Sequence, residues 1–71
     1  MKLKNRLKVA RITYDDLTQE QLSKKVGCSR QTINSIENSR FVPSVELALK
    51  IASALEMSVE EIFLLQENGD E

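Results

Sequence analysis

Apolar residues recur in the middle of this chain at the three- and four-residue spacing of amphipathic helices, with one interruption at a glycine. Leu22 and Val26 precede Gly27, and Ile33 and Ile36 follow it. Residues three or four apart lie on one face of a helix, so this pattern predicts two short helices that share a core. Gly27 can adopt the positive φ that the intervening turn needs. The segment is therefore predicted to be a helix-turn-helix.

The same reasoning predicts five helices and no long strand. Thr18, Ser29, Ser44 and Ser58 each precede a helical pattern and are candidate N-caps. The predicted helices cover about 4–13, 18–26, 29–38 and 45–55, and a fifth begins at about 58. We expect an all-α domain over residues 1–65, followed by a polar tail over 66–71.

Length and composition exclude several classes of protein. With 71 residues the chain forms one domain near the lower limit for a single apolar core. There is no His, and Cys28 is the one cysteine, so no metal, cofactor or internal disulfide is expected. No apolar run is long enough to span a membrane, and the expected setting is reducing cytoplasm. Cys28 has no base to activate it, so the chain is not expected to be an enzyme, and no small-molecule ligand is indicated.

The charge is divided unevenly along the chain. Residues 1–40 carry nine Lys and Arg against four acids, a net charge of +5. Residues 41–71 carry one Lys against seven acids, a net charge of −6. A basic half suits the phosphates of DNA, and an acidic back would limit indiscriminate binding. The alternative interpretation is a solvated charged surface without such a purpose.

The predicted third helix, residues 29–38, carries its polar side chains on the face opposite Ile33 and Ile36. These outward positions are Arg30, Gln31, Asn34 and Ser35. Such side chains can hydrogen-bond to base edges in a major groove. The helix-turn-helix therefore predicts recognition of double-stranded DNA.

The chain resembles the Cro/Xre family of helix-turn-helix regulators, whose DNA-binding domain is lambda-repressor-like. The segments that carry the resemblance are 17–22, 26–33, 36–38, 43–44, 47–52, 54–55 and 58–63. They extend over most of the chain in the family's order and spacing. The resemblance implies a compact five-helix bundle from a prokaryote or phage that binds operator DNA as a homodimer.

The resemblance also implies roles for individual residues. The implied contacts to bases are made by Ser29, Arg30, Gln31 and Ser35, with Asn34 nearby. The implied contacts to phosphates are made by Gln19, Thr32, Asn38 and Arg40. Two alternatives stay open: Arg30 pairs only with a phosphate, or Thr32 braces its own helix.

Two further positions concern structure rather than recognition. Arg11 and Glu37 match a pair that forms a partly buried salt bridge in the family, and the alternative is two independent surface charges. Ser39 and Glu56 stand where the family usually has Gly. Each must therefore adopt a left-handed conformation at modest strain, or its helix must end differently.

The run Phe63, Leu64 and Leu65 is more apolar than a domain of this size can fully bury. We predict that it forms an apolar edge at a homodimer interface. The alternative is that all three side chains fold onto the core. The predicted function is a DNA-binding transcriptional regulator, and specifically a repressor. The competing hypothesis is an interaction module, such as an antitoxin or adaptor, that uses this edge to bind a protein.

Overall fold

The computed structural model describes residues 1–67, which form five helices and one two-stranded antiparallel sheet. In chain order the elements are β1 (Lys2–Asn5), α1 (Leu7–Asp15), α2 (Gln19–Val26), α3 (Arg30–Glu37), α4 (Val45–Ala54), α5 (Val59–Ile62) and β2 (Phe63–Gln66). The five-helix prediction is confirmed, including a helix-turn-helix made by α2 and α3. Of the predicted tail over 66–71, Gln66 ends β2, and residues 68–71 lie outside the described part of the chain.

The core is built from the apolar faces of the helices, together with Leu17 and Leu55 from the segments that follow α1 and α4. Its fully or nearly fully buried apolar residues are Leu7, Ala10, Leu17, Leu22, Val26, Ile33, Ile36, Ile51, Ala52, Leu55 and Ile62. The four positions that predicted the helix-turn-helix are all among them. Burial of these side chains is the main force that holds the short helices, because helices of about eight residues are marginal alone.

Side-chain caps begin the helices where the sequence predicts them. The Thr18 hydroxyl accepts from the Gln21 backbone N–H at 3.0 Å, and the Gln21 side chain accepts from the Thr18 N–H at 2.8 Å. This reciprocal pair is a capping box. Ser29 and Ser44 cap α3 and α4, each accepting from a backbone N–H at 3.1 Å.

The turn between α2 and α3 depends on Gly27. Its φ is 78°, and its N–H donates to the Ser23 carbonyl at 2.9 Å. A side-chain Cβ placed at this position would meet no atom within 4 Å. Backbone conformation, not lack of space, is therefore what favours glycine here.

The predicted start of the first helix at about residue 4 is wrong. Lys2–Asn5 instead forms β1, which pairs with β2 so that Leu3 lies opposite Leu65 and Asn5 lies opposite Phe63. The Asn5 side chain then accepts from the Leu7 N–H at 3.1 Å, and α1 begins there. Pairing with a distant strand outweighs the local helix preference of Lys and Leu in this segment.

The apolar run that ends the domain is divided between the core and the surface. Phe63 and Leu64 are half-buried, whereas Leu65 is 70% exposed. The alternative in which all three side chains fold onto the core is therefore wrong for Leu65. Among residues 1–67, no helix is both long and apolar enough to cross a membrane.

Candidate nucleic-acid interface

The outer face of α3 gathers the side chains predicted to contact bases. Ile33 and Ile36 fix this helix from inside, and Arg30 and Gln31 are exposed on its other side. A concavity of about 350 Å³ is lined by Ser29, Gln31, Thr32, Ser35, Arg40 and Phe41. A second concavity, of about 420 Å³, is lined by Arg30, Gln31 and Asn34. All five residues with predicted base contacts thus line one surface.

Beneath this surface, Arg11 of α1 pairs with Glu37 at the end of α3. The Arg11 Nε lies 2.8 Å from Glu37 Oε2, and Nη2 lies 3.1 Å from Oε1. The Arg11 Nη1 also donates to the Leu17 carbonyl. The guanidinium therefore binds the carboxylate with two parallel bonds and holds the chain that leads into α2.

Gln19 connects the buried ion pair to α3. Its Nε2 donates to Glu37 Oε1 at 3.1 Å, and its Oε1 accepts from Asn34 Nδ2 at 3.4 Å. The carboxylate can only accept, so it requires the NH₂ group of the Gln19 amide to face it. One N–H of this amide is used by Glu37, and an amide NH₂ group carries two.

Asn34 lies between Gln19 and Asn38 and contacts both. The Asn38 Nδ2 donates to the Asn34 backbone carbonyl at 2.9 Å and to its Oδ1 at 3.3 Å. Asn34 therefore uses both ends of its side-chain amide inside the protein. This link was missed in the sequence, because Asn34 and Gln19 are 15 positions apart and no local pattern joins them.

Ser29 and Thr32 contact each other at the start of α3. Their hydroxyl oxygens are 2.9 Å apart, and Ser29 also accepts from the Thr32 backbone N–H at 3.1 Å. The contact braces the first turn of the helix. Both side chains still line the concavity of about 350 Å³.

The end of α3 is closed by Ser39 in the left-handed conformation. Its φ is 59°, its N–H donates to the Ile36 carbonyl at 3.0 Å, and the Arg40 N–H donates to the Ser35 carbonyl at 2.8 Å. These two bonds define a Schellman motif, in which glycine is usual. Glu56 closes α4 in the same way with a φ of 54°. Of the two alternatives left open at these positions, the structure has the left-handed conformation at both.

Asn5 fastens the same helix end from β1, a contact that the sequence did not predict. Its Nδ2 donates to the Ile36 carbonyl at 3.0 Å and lies 3.5 Å from the Ser39 hydroxyl. The ribbon formed by β1 and β2 thus contacts the segment from which Asn38 and Arg40 extend. The hydrogen bond spans 31 residues, so only the assembled fold reveals it.

Cys28 lies in the helix-turn-helix turn and is half-buried. Burial raises the pKa of its thiol above the ordinary value of 9.0, which disfavours the reactive thiolate. Within residues 1–67 no group of three His, Cys, Asp or Glu side chains is placed to hold a metal ion.

Comparison with known proteins also identifies a helix-turn-helix in this chain. A family model described as helix-turn-helix matches residues 15–62. An HTH-type transcriptional regulator of Methanocaldococcus jannaschii is 46% identical over 66 residues, which cover 93% of this chain and 98% of that protein. The regulator YgzD of Bacillus subtilis is 43% identical over 67 residues, covering 94% of this chain and 100% of YgzD.

A more distant relative and a solved structure also match this chain. The cryptic phage CTXphi transcriptional repressor RstR of Vibrio cholerae is 36% identical over 62 residues, covering 87% of this chain and 54% of RstR. A solved structure from Bacteroides fragilis, described as a DNA-binding protein, superposes with a TM-score of 0.79 at 22% identity. It covers 89% of this chain and 100% of that one, and at this identity it shows the fold alone. The chain belongs to the Cro/Xre-type helix-turn-helix family.

Proposed function

We propose that this protein is a transcriptional repressor that binds double-stranded DNA in a sequence-specific manner as a homodimer. In this proposal α3 enters the major groove of a two-fold symmetric operator in the cytoplasm, and occupancy of the operator blocks a promoter. The observation that carries the proposal is the outer face of α3, where polar side chains suited to bases adjoin side chains suited to phosphates. The printed names of the relatives, which are transcriptional regulators and a phage repressor, support it.

The proposed base contacts come from the exposed part of α3. Gln31 can bind adenine through two hydrogen bonds, and Arg30 can do the same with guanine. Ser29 and Ser35 line the concavity beside Gln31 and would contact bases or their flanking phosphates. Asn34 is proposed to contact bases less directly, because its amide is engaged by Gln19 and Asn38.

The proposed phosphate contacts flank α3 on both sides. Gln19 begins α2, where the helix dipole and the unpaired N–H groups favour an anion. The second N–H of its amide is the donor that a phosphate would accept, while Glu37 holds the first. Asn38 and Arg40 follow α3 and would bind a second phosphate, and Thr32 a third. Such contacts position the protein but read no sequence.

A homodimer is proposed because one helix in one groove gives few base contacts. Two copies whose recognition helices lie about 34 Å apart would read a palindromic site with higher affinity. The proposed interface is the apolar edge at Phe63, Leu64 and Leu65. The 70% exposure of Leu65 supports it, since a second copy would remove this side chain from water.

Selection from a random-sequence DNA pool tests the proposal. We expect a two-fold symmetric motif with half-sites about one helical turn apart. On that motif, the double variant Arg30→Ala, Gln31→Ala should lose sequence preference. Arg40→Ala should weaken binding to all sequences. It should also reduce the slope of log affinity against log salt concentration by about one, the value for one phosphate contact. Lys50→Ala on α4 is the control, because it also removes one positive charge but Lys50 lines neither concavity along α3.

A second candidate function is supported by the exposed apolar strand end. If the same bundle is an antitoxin or adaptor, Leu65 would contact a protein partner instead of a second copy. Failure to enrich any DNA sequence at low salt would favour this candidate. A symmetric motif together with a dimer that Leu65→Ala or Leu65→Glu dissociates would exclude it.

A further inference from the structure

We propose that Phe41 is a specificity-determining residue that contacts the methyl group of a thymine in the operator. In this inference Gln31 binds the adenine and Phe41 contacts a thymine in the same stretch of major groove. The inference rests on the proposed function, which it makes more specific. The sequence patterns did not single out Phe41, which stands in the segment between α3 and α4.

The position of Phe41 suits a contact with DNA. Phe41 is 47% exposed, so part of its ring is open to solvent beside α3. It lines the concavity of about 350 Å³ together with Gln31 and Ser35 of α3. It also follows Arg40, which is proposed to bind a phosphate. An aromatic ring is thus present at the edge of the surface that α3 would present to the groove.

The ring is held in place from its other side. Phe41 also lines a small cavity of about 40 Å³, whose other walls include Leu3, Ile36, Pro43 and Phe63. Leu3 and Phe63 come from the two strands, Ile36 from the C-terminal part of α3, and Pro43 from the segment between α3 and α4. The β1–β2 ribbon therefore lies beside Phe41 before DNA binds, and a side chain with less free space loses less entropy on binding.

The chemistry of the concavity points to thymine. Of its six lining residues, Phe41 alone has a wholly apolar side chain, and the other five carry polar groups. In the major groove, the C5 methyl of thymine is the apolar group that distinguishes one base from the others. Adenine, the base that a glutamine amide binds best, is always paired with thymine. A methyl group would therefore lie close to the position that Gln31 reads.

The experiment replaces each thymine of the selected operator in turn with uracil, which lacks only this methyl group. Loss of one buried methyl group at about 0.8 kcal/mol corresponds to a roughly fourfold loss of affinity for each half-site. We expect this loss at one symmetry-related position with the natural protein. Phe41→Ala should bind the thymine operator about as weakly as the natural protein binds the uracil operator. It should show no further loss with uracil.

The readout is the ratio of affinities for the two DNAs, so a reduced folded fraction of the variant cancels. Ile12→Ala is the matched control, because Ile12 is 45% exposed on α1 and does not line the concavity. It should keep the full sensitivity to uracil.

Two results would overturn the inference alone. One is an operator that binds equally well with uracil at every position. The other is a Phe41→Ala protein that remains as sensitive to uracil as the natural protein, which would mean that Phe41 contacts deoxyribose or only packs. If no DNA is enriched at all, the proposed function fails, and this inference fails with it.

Discussion

Arg11 and Glu37 form a bidentate ion pair in which 9% of one side chain and 6% of the other remain exposed. The pair joins α1 to the end of α3, and Gln19 shares the same carboxylate. Two charges so far from water are tolerated because each is paired and further hydrogen-bonded. The pair therefore fixes α3 and orients a proposed phosphate donor at the same time.

Removal of one partner of this pair should be costly. We expect Arg11→Met or Glu37→Gln to lower the free energy of unfolding by about 3–5 kcal/mol, because the remaining group stays buried without its partner. The double variant should lose less free energy of unfolding than the two single variants lose when their losses are added. Urea unfolding of all four proteins measures this coupling.

The exposed pair of Lys50 and Glu46, 3.1 Å apart on α4, provides the control cycle. Its coupling should not exceed about 0.5 kcal/mol. A coupling free energy between Arg11 and Glu37 as small as that of the control would show that the buried pair stabilises the protein no more than an exposed pair does.

Ser39→Gly and Glu56→Gly should each stabilise the protein. Both residues have a φ above 50°, a conformation that costs a side chain about 1–2 kcal/mol and costs glycine nothing. Glycine loses more entropy on folding, so we expect a net gain of about 0.5–1 kcal/mol for Ser39→Gly. The gain should be smaller for Glu56→Gly, because that change also removes the acceptor of the Tyr14 hydroxyl. For a domain of this size, thermal unfolding should then occur several degrees higher.

Gly27→Ala makes the opposite change, from glycine to a residue with a side chain, in the same left-handed conformation. With a φ of 78° and open space around the missing Cβ, this change adds conformational strain without a clash. We expect a loss of about 1 kcal/mol. Equal stabilities for Gly27→Ala, Ser39→Gly and the natural protein would show that left-handed backbone is not strained here.

Tyr14 should titrate at a higher pH than an ordinary tyrosine. Its hydroxyl donates to Glu56 Oε2 at 3.0 Å, and this hydrogen bond and the carboxylate charge raise the pKa of the phenol above 10.0. Tyr14 is the one tyrosine, and the chain has no tryptophan, so tyrosinate absorbance reports it alone. Glu56→Gln should return the pKa toward 10.0.

The raised pKa of Tyr14 also fixes the sign of a pH effect. The folded state holds the phenolic proton more tightly than the unfolded state, so the stabilisation is complete below pH 10 and is lost as the pH rises through the folded pKa. Tyr14→Phe should remove this part of the alkaline loss of stability. A native midpoint at or below 10.0 would refute the assignment.

Asn5→Ala should destabilise the protein by about 1–2 kcal/mol. It leaves the Leu7 N–H without an acceptor and removes a donor to the Ile36 carbonyl. Asn5→Asp keeps the acceptor and loses the donor, so we expect an intermediate stability by thermal unfolding. Gln66→Ala, at the exposed end of β2, is the control. If Asn5→Ala matched this control, the helix end would not depend on Asn5.

The parts of the fold that follow from local sequence could be predicted. Thr18, Ser29 and Ser44 act as caps because an N-cap and its partner are three residues apart, and Gly27 forms the turn for reasons within its own backbone. The buried face of α2 and α3 follows from spacing alone. Such features depend on neighbours in the chain, which a sequence displays directly.

The missed features all depend on distant residues. The four residues of β1 show too little alternation to indicate a strand, and their partners in β2 are about sixty positions away. The hydrogen bond between Gln19 and Asn34 joins residues 15 positions apart, and the one between Asn5 and Ile36 joins residues 31 positions apart. The pairing of long-range partners depends on how the helices pack, which the apolar pattern does not specify.

The pairing of β1 with β2 also sets the order in which the domain can be completed during translation. The strand at the start of the domain has no partner until the strand at its far end has been synthesised. The helix-turn-helix contains mostly local contacts and can form earlier. Closure of the ribbon, whose partners are the most distant along the chain, is therefore the step that completes the domain.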